Sequence, residues 1–195
     1  MLQLRPADYR LMPWKNGGGS TTEIAIEPPG ASLGEPFLWR VSSATVAASG
    51  PFSAFPGLQR SLLLVEGAGF ILDIEGQGRL RLKHPGQVVS FSGDAAVGAT
   101  LIQGPCVDFG VISDPTQVRV TLQWLNLGRE ATLLVPAPTT LLYAPWGPVW
   151  VDPLDLELDS RECLRLDPAD AAPELRLRAA FGTTPAVVVS IYPLS

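Results

Sequence analysis

Histidine is almost missing from this chain: His84, followed by Pro85-Gly86, is the only one among 195 residues. That excludes a metal centre built on two or three imidazoles with a carboxylate, and the expectation is a protein with no bound metal and no cofactor. It also works against a charge-relay hydrolase, which would have to use His84 with a serine outside any nucleophile elbow, because GxSxG does not occur. A lone histidine at a strand end is read as an ordinary polar residue. Cysteine is scarce too, with two residues. Cys106 and Cys163 lie far apart with no CxxC spacing, so each is read as a buried, inert thiol and no disulfide framework is indicated.

Positive charge is thin as well. Lys15 and Lys83 are the only lysines, and the formal net charge is -5, so no concentrated basic surface is available for nucleic acid or anionic lipid. No apolar run has the length of a membrane span. The segment from Met1 to Arg10 has no apolar h-region, so no signal peptide is expected and the default location is the cytoplasm. Helical periodicity is missing too, since prolines and glycines interrupt most windows.

What is present is strand signal, in a chain that is 46% hydrophobic and 17% charged. Thr22 to Glu27 alternates, Phe37 to Val46 comes after a Pro/Gly-rich loop, and Ser61 to Glu66 is a short apolar run. Phe70–Ile74 and Leu80 to Lys83 flank the turn Glu75-Gly76-Gln77-Gly78, which predicts a hairpin. Val88 to Phe91, Thr100 to Ile102 and Val107 to Ile112 continue at the spacing of an all-β sandwich or barrel. After Asp114-Pro115 the pattern restarts with Val118 to Leu122, Ala131 to Val135, Thr139–Tyr143, Cys163–Leu166, Glu174 to Arg178 and Ala186 to Tyr192. Asp167 to Ala172 fits one helical turn or a loop. The expected division is a first β-unit over 1–114 and a smaller one over 115–195 that reads as its diverged duplicate.

The stretch Met12 to Ile24, MPWKNGGGSTTEI, has the ingredients of a phosphate loop in the wrong order. Its lysine precedes the glycines, and the residues after them are strand-like, whereas a phosphate loop needs GxxxxGK[ST] entering a helix. The plainer reading is a tight backbone path, with positive φ, before a strand. Two further stretches carry more than a turn needs: WRVSSATV from Trp39 through GPFSAFPG to Arg60, and FSGD at Phe91 to Asp94 with Asp108-Phe109 one strand later. Alternation places Arg40, Ser42 and Ala44 on one face of their strand. If that face is interior, its guanidinium must meet a carboxylate or a bound anion. Two alternatives stand: Arg40 or Arg60 is paired internally with Glu23, Asp94 or Asp108, or one arginine, with Lys15 or Asn16, is left for a small carboxylate whose planar geometry suits the guanidinium fork.

WKNGGGSTTEI, WRVSSATV, GPFSAFPG followed by Arg60, and FSGD, in that order and spacing, resemble the HutD/Ves family of bacterial proteins associated with histidine utilisation. The resemblance spans roughly Pro13 to Ile112 and is diffuse beyond Asp114. It implies a metal-lacking cupin-type (RmlC-like jelly roll) β-barrel, duplicated as a bicupin within one chain. It also implies a regulator of histidine degradation that senses a small carboxylate such as urocanate or a formylated glutamate, with no catalytic residues assigned. The positions that match are Trp14, Lys15, Asn16, Gly17, Gly18, Thr22 and Glu23, then Arg40, Ser42, Phe52, Phe55, Pro56, Gly57 and Arg60, and finally Gly93 and Asp94. One departure is that the family tends to carry asparagine, then methionine, after the later aspartate and its apolar neighbour, where this chain has Gly110-Val111.

The expected site lies within the first unit. Arg40 or Arg60 would pair the carboxylate, Asn16 and Ser42 would give neutral hydrogen bonds, Trp14 or Phe52 would form an apolar wall, and Lys15 and Asp108 complete the candidate set. The expected partner is a small carboxylate rather than nucleic acid or membrane, with a homodimer left open. Two other readings stand beside it. One is a metal-independent isomerase or hydrolase using Glu23, Asp94, Asp108 or His84 for proton transfer; the other is an interaction scaffold with a filled interior.

Overall fold

The computed structural model describes residues 1–128, 131–134, 137–170, 174–180 and 182–194. These residues form antiparallel β-structure with one short 3-10 turn at Pro6–Asp8 and no α-helix among them. The chain divides into two compact units, residues 9–118 and residues 1–8 with 119–194.

In the 9–118 unit a six-stranded sheet runs in the order Arg10–Pro13, Gly19–Glu27, Trp39–Val46, Cys106–Ser113, Gln59–Glu66 and Val88–Ser92. A four-stranded sheet runs Gly50–Pro51, Val97–Leu101, Phe70–Ile74 and Gly78–Leu82. Alternate apolar residues of both sheets enter one core: Leu62, Leu64 and Phe91 come from the larger sheet and Phe70, Leu72, Ile74, Val97 and Ala99 from the smaller. The period-2 pattern of the sequence is therefore the burial pattern of the strands.

The unit of residues 1–8 and 119–194 repeats the plan. A five-stranded sheet is ordered Leu2–Leu4, Cys163–Leu166, Thr139–Tyr143, Thr184–Pro193 and Val118–Leu127, and a four-stranded one Ala131–Leu134, Glu174–Ala179, Val149–Asp152 and Leu156–Leu158. Its core is aliphatic, centred on Leu142, Val151, Leu158, Leu164, Leu177 and Val188. Residues 1–8 count with this unit because Leu2–Leu4 pairs in register with Cys163 to Arg165.

Most expected strands form, with shifted ends. The hairpin turn is tighter than expected, since Gly78 already pairs with Ile74 and the Gln77 N–H closes the turn on the Ile74 carbonyl at 3.0 Å. Lys83 leaves the strand because its N–H donates to Gln87 Oε1. Asp167 to Asp170 is a turn closed by Asp170 N–H on Asp167 C=O at 2.8 Å; Ala171 and Ala172, like Val135, lie outside the described residues. Each sheet is an open row of strands, and none among the described residues closes on itself. Both cysteines are buried and free. Burial pushes the Cys163 thiol up, and burial followed by the nearby Asp108 charge pushes Cys106 up to about 12, so neither is a ready nucleophile.

Candidate functional site

Register brings the charged residues of the first unit onto one face of its six-stranded sheet. Ile112 lies opposite Arg40 on one side and Arg60 on the other; Gly110 lies between Ser42 and Leu62, and Asp108 between Ala44 and Leu64. One strand further out, Thr21 pairs with Ala44 and Glu23 with Ser42. This face forms the floor of a cavity of about 630 Å³.

All eight residues singled out from the sequence line that cavity: Arg40, Ser42, Arg60 and Asp108 on the floor, Trp14, Lys15 and Asn16 from the glycine-rich stretch, and Phe52 from the loop before Arg60. Lys15 and Asn16 are exposed, whereas Arg40, Ser42 and Asp108 are buried. Thr21, Leu33, Ser53 and Gly110 also line it. Of these, Thr21 belongs to the glycine-rich motif, but nothing in the sequence points to Leu33, which arrives from the Pro/Gly-rich loop after Glu27. His84 is exposed and does not line the cavity; its N–H is held by Gln87 Oε1 at 2.9 Å.

The glycine-rich stretch turns out to be a tight entry to a strand. Of its three glycines, Gly17 alone takes positive φ, at 71°. Gly19 is required for a different reason: a Cβ there would lie 2.2 Å from the Thr45 carbonyl oxygen and 3.1 Å from the Trp14 ring. Trp14 is thereby seated, its Nε1 donating to Thr21 Oγ1 at 2.8 Å and its ring meeting Phe52 edge-on at 6.4 Å. Asn16 turns its Oδ1 back onto the Gly18 N–H at 2.9 Å, a local Asx turn that does not use its amide NH₂.

FSGD serves as a clamp. Asp94 accepts from the Gly57 N–H at 3.1 Å and from Ser92 Oγ at 3.0 Å, while the Gly93 carbonyl accepts from Phe55 N–H and its N–H donates to the Leu58 carbonyl. Asp94 therefore pairs with neither arginine; it fixes the loop that carries Phe52 and Phe55. That loop shapes a cage for Arg60, whose guanidinium lies 5.1 Å from the Phe91 ring, 5.3 Å from Phe55 and 5.4 Å from Phe52, with Nη1 donating to the Ser53 carbonyl at 2.9 Å.

Two buried groups on the floor are incompletely compensated. Arg40 donates from Nε to Glu23 Oε2 at 2.6 Å, so the internal pairing is real, yet its Nη2 is buried with no hydrogen-bond partner. Asp108 receives no side-chain hydrogen bond from any described residue; its backbone carbonyl accepts from Ser43 Oγ. Burial pushes the Asp108 carboxyl up to about 7 against the pull of Arg60, and burial pushes Arg60 down to about 10 against the pull of Asp108, with repulsion from Arg40 adding. The Arg40 and Arg60 guanidiniums thus share the floor with Glu23, ion-paired to Arg40, and with an Asp108 carboxyl pushed up to about 7 by burial. Among the described residues no three His, Cys, Asp or Glu side chains group as a metal site would need.

Comparison with known proteins agrees with this picture at the level of family and fold. The HutD family model matches residues 6–183. An uncharacterised 21.2 kDa protein in the hutC 3′ region of Pseudomonas putida is 38% identical over 181 residues, covering 91% of this chain and 93% of that one. Protein Ves of Citrobacter koseri is 41% identical over 100 residues, half of each chain. Among solved structures, HutD from Pseudomonas fluorescens SBW25, in a formate condition, superposes with a TM-score of 0.84 at 34% identity over 100% of this chain and 99% of that one. A cupin 2 conserved barrel domain protein from Leptotrichia buccalis has a TM-score of 0.53 at 10% identity over 88% of each chain, a likeness of fold alone that makes the architecture cupin-like.

Proposed function

This chain belongs to the HutD family, and from that premise we propose that it is a metal-free, small-carboxylate-binding protein of histidine utilisation, sensing a pathway intermediate such as urocanate or a formylated glutamate. The observation that carries the reading is the buried Arg40 Nη2, without a hydrogen-bond partner, on a residue that lines the cavity. An unpaired buried polar group typically costs about 1–3 kcal/mol, more when charged, and a carboxylate oxygen would remove that penalty. Arg60 supplies a second cation, Ser42 a hydroxyl, and Trp14 and Phe52 an apolar wall. The names of the Pseudomonas relatives support the pathway. The repeated plan of a larger sheet with a four-stranded partner supports a duplicated, bicupin-type chain, with the site in the first half.

The test is a thermal-shift series with urocanate, histidine, formate, formyl-glutamate and formimino-glutamate. A ligand at a hundredfold its dissociation constant stabilises by about 2.7 kcal/mol, which is roughly 5–10 °C for a chain of this size. No shift with any of the five at millimolar concentration contradicts the proposal. A second reading, proton transfer to a bound acid, rests on Asp108, which lines the same cavity and whose carboxyl burial pushes up to about 7. Turnover by metal-stripped protein that vanishes in Asp108→Asn supports it; binding without turnover leaves the sensor reading alone.

A further inference from the structure

Gly110 stands in the middle of the Cys106–Ser113 strand, bonded on both sides, and nothing in the backbone explains a glycine there. Its φ is not positive, and the irregularity in that strand falls at Val107/Asp108 rather than at Gly110. No backbone crowds it either: a Cβ at Gly110 would meet the Ser61 carbonyl oxygen at 3.6 Å and Leu62 Cδ1 at 3.9 Å, ordinary contacts, whereas at Gly19 and Gly93 it would meet carbonyl oxygens at 2.2 and 2.1 Å. Glycine weakens a strand interior, and with no positive φ, register shift or backbone crossing at Gly110 to call for it, close approach of a ligand is a role that fits. Among the described residues, Gly110 is the one glycine lining the cavity.

Its position fits that role. The same-face neighbours along the strand are Ile112, flanked by Arg40 and Arg60, and Asp108 at the other end. Same-face residues are about 7 Å apart along a strand. An acid whose carboxylate meets the arginine row must pass its body over Gly110, between Ser42 and Leu62, to reach Asp108. Formate, one carbon long, does not reach that far. We propose that Gly110 is a specificity-determining position, its missing side chain being the space that admits organic acids extending beyond the arginine row and so selects them over formate. This rests on the carboxylate-binding reading above.

The experiment compares the wild-type chain with Gly110→Ala and Gly110→Val in calorimetric titrations against formate, urocanate and formyl-glutamate, with melting temperatures recorded alongside. Expected is that both variants melt at or above the wild-type temperature, that formate affinity stays within about threefold, and that affinity for the longer acids falls stepwise, at least about tenfold in the valine variant. Longer-acid affinity unchanged in a folded Gly110→Val or Gly110→Ala protein overturns the role of Gly110 and leaves carboxylate binding intact. Formate and the longer acids losing affinity equally also overturns it, because selection by length is then absent. Absence of binding by the wild-type chain to all three acids overturns the carboxylate reading, and this inference with it.

Discussion

In the unit of residues 1–8 and 119–194, the buried carboxylate Glu162 accepts from Gln3 Nε2 at 2.7 Å and from the Asp159 N–H at 3.1 Å, with Arg5 at 3.4 Å. In the 9–118 unit, the buried Asp108 carboxyl has no such donor among the described residues and Arg40 keeps an unpaired Nη2 beside a cavity. Two units with the same plan of paired sheets therefore differ in how they treat buried polarity. One closes it with protein partners around an aliphatic core; the other leaves a guanidinium nitrogen without a hydrogen-bond partner. Thr140 Oγ1, also buried and unpaired, lies in the paired unit, but a neutral hydroxyl is far less costly to desolvate than a guanidinium N–H. The difference makes the cavity of the 9–118 unit the place to test for function.

The comparison breaks most visibly in the filled core. Leu164 is fully buried, and Leu164→Ala is expected to lower stability by about 3 kcal/mol in urea unfolding while leaving carboxylate affinity of the folded protein unchanged. Arg40→Met removes the partner of the mostly buried Glu23 and is expected to cost roughly 2–3 kcal/mol, less than a fully buried pair because Glu23 keeps some solvent. The double variant Glu23→Gln/Arg40→Met should recover to within about 1 kcal/mol of wild type, yet bind no carboxylate.

The proton balance sharpens the same contrast. Asp108 has its folded pKa raised to about 7 from 3.8, so the folded chain holds this proton more tightly than the unfolded one. The stabilisation this gives is fully present below the unfolded value and is lost as pH rises through about 7. Relative to Asp108→Asn, wild-type stability should therefore decline between about pH 4 and 7, by at most about 1.4 kcal/mol per pH unit, and run parallel above that. Parallel curves throughout would show that the carboxyl is not held protonated. The smallest effect belongs to Asn16: Asn16→Ala loses the Gly18 turn, expected to cost about 0.5 kcal/mol and to change affinity less than about threefold. A larger loss of affinity assigns the remaining NH₂ to the ligand.

Much of the 9–118 unit was legible because its strands obey the period-2 rule over five or more residues. Alternation alone put Arg40, Ser42 and Ala44 on one face, and the cavity is lined by all three. Strands with little signal in the sequence are short or framed by proline: Arg10–Pro13 has four residues and ends on Pro13, Leu156–Leu158 has three, and Val149–Asp152 lies between Pro148 and Pro153. In the site, side-chain identity was readable and backbone participation was not. The Ser53 carbonyl that holds Arg60 has no signature in residue type, and the distinction between Asp94 as a loop clamp and Asp108 as a cavity acid depends on strand register.

Whether the unpaired Arg40 donor belongs to a carboxylate site is decided by calorimetric titration of urocanate and of formyl-glutamate into the wild-type chain and the Glu23→Gln/Arg40→Met variant. Saturable binding of at least one of them, one molecule per chain, is expected in the wild type and none in the folded variant. Equal binding by both proteins, or no heat from either acid at millimolar concentration, contradicts a carboxylate site at Arg40.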